Sequence, residues 1–151
     1  MEENFKESLK NIFSTVCDDG AKNDPIQLHP LVLAYIGDSI HNLYIRCYLV
    51  SKNLTNVNNL HKQSISYVSA HSQSDTIHSI FDKLTEREQY IMKRGRNAKS
   101  GTIPKNADVT EYKYATGFES LLGYLFLNNE TDRLFEILKM STEKAGDSNE
   151  K

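Results

Sequence analysis

LVLAYIGDSIHNLYIRCYLV, from Leu31 to Val50, reads as one long helix in which almost every residue is apolar or aromatic. Val32, Leu33, Ile36, Ile40 and Leu43 fall at helical spacing on a stripe expected to face the core. Leu31, Ala34, Tyr35, Asp38, Asn42 and Ile45 line a second, mostly apolar face, so the helix is expected to have neighbours on both sides. Asp38 stands out there, because a carboxylate among apolar neighbours must be paired, hydrogen-bonded or metal-bound to offset its desolvation. Gly37 beside it adds a helix penalty of about 1 kcal/mol relative to alanine. An ion pair with Arg46 satisfies Asp38 as well as a ligand would, so this stretch alone leaves its role open.

Working outward, Pro30 occupies the first turn of that helix, where its missing N–H does no harm. Before it, residues 2–18 form an amphipathic helix through Phe5, Leu9, Ile12, Phe13 and Val16, stopped at Gly20, and Ala21–His29 is a linker. After it, Thr55 is positioned to cap a helix through Val57, Leu60, Ile65 and Val68, and a further helical stretch carries Ile77, Ile80, Phe81 and Leu84. The pattern fits one bent helix or two. Thr85 and Glu88 make a capping box that opens EREQYIMKRGRN, residues 86–97. Residues 97–109, NAKSGTIPKNADV, lack helical periodicity and read as a loop. Tyr112–Asn128 is a second long apolar helix, and Asp132–Glu143 a last one before the tail AGDSNEK, expected to be unordered.

The second apolar helix repeats the peculiarity of the first. Glu119 sits among Phe118, Leu121, Leu122 and Leu125, one turn before Gly123. Small residues let helices approach closely; if Gly37 faces Gly123, Asp38 and Glu119 converge in one crevice. Two carboxylates there repel unless a cation lies between them, and hard oxygen ligands suit Mg²⁺ or Mn²⁺.

Charge separates the loop from the rest. The net charge is −2, yet Lys93, Arg94, Arg96, Lys99 and Lys105 put five cations and no acid between residues 93 and 105, leaving −7 elsewhere. A basic patch on an acidic chain suits a polyanion such as a nucleic acid backbone. The loop has no aromatic residues for stacking, which favours recognition of a duplex backbone over single strands. No apolar run reaches membrane-span length, and the acidic start MEENFKESLK is unlike a secretory signal. Cys17 and Cys47 form no CxxC or Cys/His cluster, as expected of reduced thiols in the cytoplasm. None of the five histidines makes an HExxH pair.

AYIGDSIHNLYIR (34–46), RGRNAKSGTIPKNADVTEY (94–112) and TGFESLLGYLFL (116–127), in that order, resemble Mini-III ribonuclease, the compact bacterial branch of the ribonuclease III family that has the catalytic domain without the double-stranded-RNA-binding domain. The resemblance covers roughly residues 27–140. It implies an all-α, ribonuclease III-like helical bundle, with residues 1–20 an N-terminal extension, 21–145 the catalytic domain and 146–151 a tail. It implies Asp38 and Glu119 as catalytic residues and metal ligands, Mg²⁺ as cofactor with Mn²⁺ able to substitute, and hydrolysis of double-stranded RNA to 5′-phosphate products. Within the loop, Arg94, Arg96, Asn97, Lys99, Ser100, Lys105 and Asn106 are the expected RNA-binding residues, and Asp108 is either a helper of those cations or a structural loop residue. The family further implies a cytoplasmic homodimer acting on a precursor of 23S ribosomal RNA. The sequence departs from full-length ribonuclease III at Leu31, Ala34 and Thr116, where that pattern has acids, and from the Mini-III pattern, which often has an acid near Asn42. The lean ligand set leaves the number of metals open and motivates an alternative, a non-cleaving RNA-binding scaffold. A helical protein-interaction module is a third reading.

Overall fold

A computed structural model describes residues 2–16, 24–53, 55–99 and 101–149; Cys17, Gly20, Leu54 and Ser100 lie outside them. The elements are α1 (Glu2–Val16), a 3₁₀ turn (Pro25–Gln27), α2 (Pro30–Ser51), α3 (Val57–Val68), α4 (Ala70–Ile80), a second 3₁₀ turn (Phe81–Lys83), α5 (Glu86–Asn97), α6 (Val109–Leu127) and α7 (Thr131–Asn149). There is no strand among the described residues, as the all-α reading requires.

The bundle is organised around α6. Ala115, Gly117, Phe118 and the run Ser120–Leu125 are buried, with α2, α5 and α4 packed around the helix. An all-round apolar helix can be stable only with neighbours on every side. α2 buries Pro30, Leu33, Gly37, Ile40, His41, Tyr44, Ile45 and Leu49, and meets α6 through Leu33, Gly37 and His41. This corrects the expected core stripe: Leu33 and Ile40 are core, but Val32 and Leu43 are 47 % and 41 % exposed, while Ile45, assigned to the other face, is fully buried. The glycines set this rotation. A Cβ on Gly37 would lie 2.6 Å from the backbone carbon of Glu119, and one on Gly123 would lie 2.8 Å from that of Leu33 and 3.2 Å from the nitrogen of Gly37. Backbone-to-backbone approach is possible only where both helices lack side chains, so Gly37 and Gly123 fix which face of α2 turns inward.

The helix boundaries follow from their caps. His29 caps α2, its Nδ1 accepting from the Leu31 N–H at 3.1 Å. Asn56, not Thr55, caps α3, accepting from the backbone N–H of Asn58 and Asn59. Ser69 ends α3 and caps α4 at an extended ψ of 154°, so the stretch is two helices. The Thr85–Glu88 capping box is formed. Asp108 starts α6 three residues earlier than expected, at Val109, by accepting from the Glu111 N–H at 3.1 Å. α7 runs past Glu143, where the sequence pattern ends it, to Asn149. α1 packs on the bundle: Leu9 is buried and the Phe5 ring meets Tyr44 and Phe135 edge-on.

Candidate active site

The α2–α6 crossing brings Asp38 and Glu119 together. Asp38 follows Gly37 and Glu119 precedes Ser120, so both carboxylates emerge where the backbones touch. Asp38 is exposed, and Asn42, one turn on, donates its amide N–H to Asp38 Oδ1 at 3.0 Å and to its carbonyl at 2.8 Å. No arginine or lysine pairs with Asp38 among the described residues, which removes the Arg46 alternative. The desolvation falls on Glu119 instead. Burial raises its carboxyl to about 9, with the hydrogen bond to Asp38 and that group's charge adding to the shift.

Another glutamate, more deeply buried than Glu119, shows what a structural carboxylate looks like in the same protein. Glu88 is 4 % exposed. Burial works against its ionisation, yet Arg133 grips it through Nε and Nη2, both at 2.9 Å, and the Thr85 N–H donates to it, so its carboxyl falls below the ordinary value. Glu88 has its counter-ion built in; Glu119 has another acid. Strongly perturbed carboxyls without a structural partner mark functional sites more often than packing ones. No group of three His, Cys, Asp or Glu side chains able to hold a metal occurs among the described residues. Asp38 and Glu119 are the two carboxylates that could hold a divalent cation here, and hard oxygen donors of this kind suit Mg²⁺.

The shell behind the pair is polar and buried. Ser120 Oγ lies 2.9 Å from the Pro30 carbonyl and 2.8 Å from that of Thr116, tying α6 to the start of α2. His41, fully buried one turn beyond Asp38, meets Gln73 of α4 at 2.9 Å through Nδ1 and the Phe118 ring edge-on; its Nε2 has no hydrogen-bond partner. Neither was singled out from the sequence. The signal was there for Ser120, a polar residue amid an apolar helical run, since buried hydroxyls are almost always bonded.

The basic residues divide. Arg96, Asn97 and Lys99 line one cavity with Lys113 and Thr116 of α6. Arg94 faces elsewhere: its Nη1 donates to the Ile26 carbonyl at 2.7 Å and its guanidinium lies over Tyr90, clamping the turn before α2. Lys105 and Asn106 are exposed further along the loop, outside the cavity lining. Ser100 lies outside the described residues. Asp108 is the α6 cap, a structural role.

A carboxylate pair at a glycine crossing in a helical bundle, with a basic loop beside it, is the layout that the sequence resemblance to a ribonuclease leads one to expect. The family model described as "Ribonuclease III domain" matches residues 31–130, a span that holds both carboxylates and the loop. Mini-ribonuclease 3 of Enterococcus faecalis (strain ATCC 700802 / V583) is 50 % identical over 127 residues, covering 83 % of this chain and 96 % of that one. Mini-ribonuclease 3 of Thermoanaerobacter sp. (strain X514) is 48 % identical over 122 residues, 81 % of this chain and 86 % of its own. A crystal structure of a Fusobacterium nucleatum protein superposes with a TM-score of 0.73 at 31 % identity, covering 82 % of this chain and 98 % of that one. The chain belongs to the ribonuclease III family, in its Mini-ribonuclease 3 branch, and is an endoribonuclease by that membership. No helix among the described residues is long and apolar enough to cross a membrane.

Proposed function

We propose that the chain is a Mg²⁺-dependent endonuclease of double-stranded RNA in which Asp38 and Glu119 hold the ion and the loop between α5 and α6 holds the RNA backbone. The observation that carries this reading is the convergence of Asp38 and Glu119 where Gly37 touches the Glu119 backbone, with no basic side chain paired to Asp38 among the described residues and the Glu119 carboxyl raised by burial and by Asp38. A bound divalent ion supplies the acidity that makes water a nucleophile and the charge that stabilises a phosphodiester's developing oxyanions. The chain's residues do the positioning. Asn42 orients Asp38, Ser120 anchors the Glu119 turn to α2, and Gly37 and Gly123 hold the two helices close enough for both carboxylates to reach one ion. Water attacking in line at phosphorus leaves a 5′-phosphate and a 3′-hydroxyl.

A homodimer is part of this reading. Val32, Leu43 and Val50 are exposed on α2 at helical spacing, and Tyr35, 76 % exposed, lies between that stripe and Asp38. A stripe that a second copy covers by two-fold symmetry would bring two sites to one surface, one for each strand. A 23S ribosomal RNA precursor as substrate and a cytoplasmic location, with Cys47 a free thiol, complete the proposal.

The test is incubation of the chain with duplex RNA, with and without Mg²⁺, beside Asp38→Asn. Cleavage that needs both the ion and Asp38 supports the enzyme; binding without cleavage points to the scaffold alternative.

A further inference from the structure

The cavity beside the carboxylate pair has an opening of about 440 Å³. Three cations line it, Arg96 and Lys99 from the end of α5 and its loop and Lys113 from α6, together with Asn97 and the Thr116 hydroxyl, and no acid does. Thr116 stands one helical turn before Glu119, so the cavity opens about 5 Å along α6 from the metal-holding pair.

Arg96 is held in place before any ligand arrives. Its Nε donates to Asn97 Oδ1 at 3.1 Å, and its guanidinium carbon lies 5.5 Å from the centre of the Tyr114 ring. Tyr114 in turn stacks at 4.2 Å on His78, whose Nδ1 meets the Ser74 carbonyl at 2.7 Å. The ladder runs from α4 through α6 to α5 and fixes a side chain that would otherwise lose freedom on binding. Nearby acids are engaged: Glu111 meets His71 at 2.6 Å, and Asp75 meets it at 3.3 Å.

We infer that this cavity seats a second RNA backbone phosphate, next along the strand from the one at Asp38 and Glu119. Lys113 supplies a phosphate contact, and Tyr114 and His78 act as positioning residues for Arg96. The inference rests on the nuclease reading for the identity of the ligand. A convergent set of cations with hydroxyl and amide donors matches phosphate oxygens, and contacts of this kind set register without reading bases.

The test is duplex-RNA binding by the full-length chain in metal-free buffer across a salt series, with Lys113→Gln, Lys113→Arg and Tyr114→Leu. Removing one phosphate contact lowers the slope of log affinity against log salt by about one unit. Lys113→Gln should show that drop, weaken binding several-fold and raise KM more than it lowers kcat, and Lys113→Arg should restore the slope. Tyr114→Leu should weaken binding with a smaller change of slope, since the charge on Arg96 remains. An unchanged slope in Lys113→Gln overturns the assignment, and wild-type cleavage with Mg²⁺ in the same preparation shows that the nuclease reading survives it. A slope change in a chain that never cleaves does the reverse. Adenosine monophosphate alone should give no thermal shift; a shift abolished by Lys113→Gln would assign the cavity to a free nucleotide and overturn the backbone assignment.

Discussion

Glu119 of α6 meets Asp38 of α2 at the crossing where Gly37 touches the Glu119 backbone, and burial beside that acid raises its carboxyl to about 9. Near neutral pH Glu119 is therefore protonated, and a divalent ion bound there would displace that proton. Metal binding at carboxylates releases such protons. Adding Mg²⁺ to the chain in weak buffer near pH 7.5 should release about one proton per chain, measured by a pH indicator, and Glu119→Gln should abolish most of the release.

The two buried glutamates should respond oppositely to the same substitution. Glu88→Gln breaks a bidentate pair with Arg133 and leaves the cation half-paired, a change worth about 3 kcal/mol of stability. Glu119→Gln removes no counter-ion and replaces a carboxyl already neutral near pH 7, so its melting temperature should match or exceed wild type. Cleavage should be lost in Glu119→Gln and kept in Glu88→Gln below its melt. Paired thermal melts and cleavage assays read both.

Gly37→Ala sets helix propensity against space. Alanine favours an exposed helix by about 1 kcal/mol, but here its Cβ would overlap the Glu119 carbonyl group, which is backbone and cannot rotate away. Overpacking of this kind costs about 1–3 kcal/mol, and the shift separates the carboxylates. The expected result is a lower melting temperature and, at temperatures where the variant is still folded, a larger Mg²⁺ requirement for cleavage.

Stability should also depend on pH through His41. Burial lowers its pKa from 6.5 to about 4. Below 6.5 the unfolded chain takes up a proton that the folded chain refuses, so the His41 contribution is flat above 6.5 and falls as pH drops towards 4, while Glu119, whose raised carboxyl keeps a proton in the folded chain, contributes in the opposite sense. Between pH 6.5 and 5 the His41 part alone is a loss of about 2 kcal/mol, which the Glu119 part opposes. Urea unfolding of wild type and His41→Gln over that window checks it: the variant should gain on wild type by about 2 kcal/mol as pH falls from 6.5 to 5, and parallel curves would contradict the shift.

Much of this was legible in the sequence because local rules governed it. The Thr85–Glu88 box, Pro30 at a helix start and the two long apolar helices depend on nearest neighbours, and each is present, although α6 begins three residues before the pattern puts it. The paired glycines pointed to the α2–α6 crossing. Periodicity could not give the rotation of α2, because a helix apolar nearly all round has no unique inner face; Gly37 against the Glu119 backbone chose one and left Val32 and Leu43 outside. Nor could it show that Arg94 is spent on the Ile26 carbonyl while Lys113, outside the basic run, turns into the cavity. Those placements are set by tertiary contacts between elements distant in the chain.

The most direct test of the joint carboxylate site is a double-mutant cycle on Mg²⁺-dependent cleavage of duplex RNA, with Asp38→Asn, Glu119→Gln and both together. Residues acting as one unit are strongly non-additive. Each single variant should lose at least about a hundredfold in rate, and the double variant should be little worse than either. Near-wild-type cleavage by either single variant, or losses that simply add, would contradict a shared ion between Asp38 and Glu119.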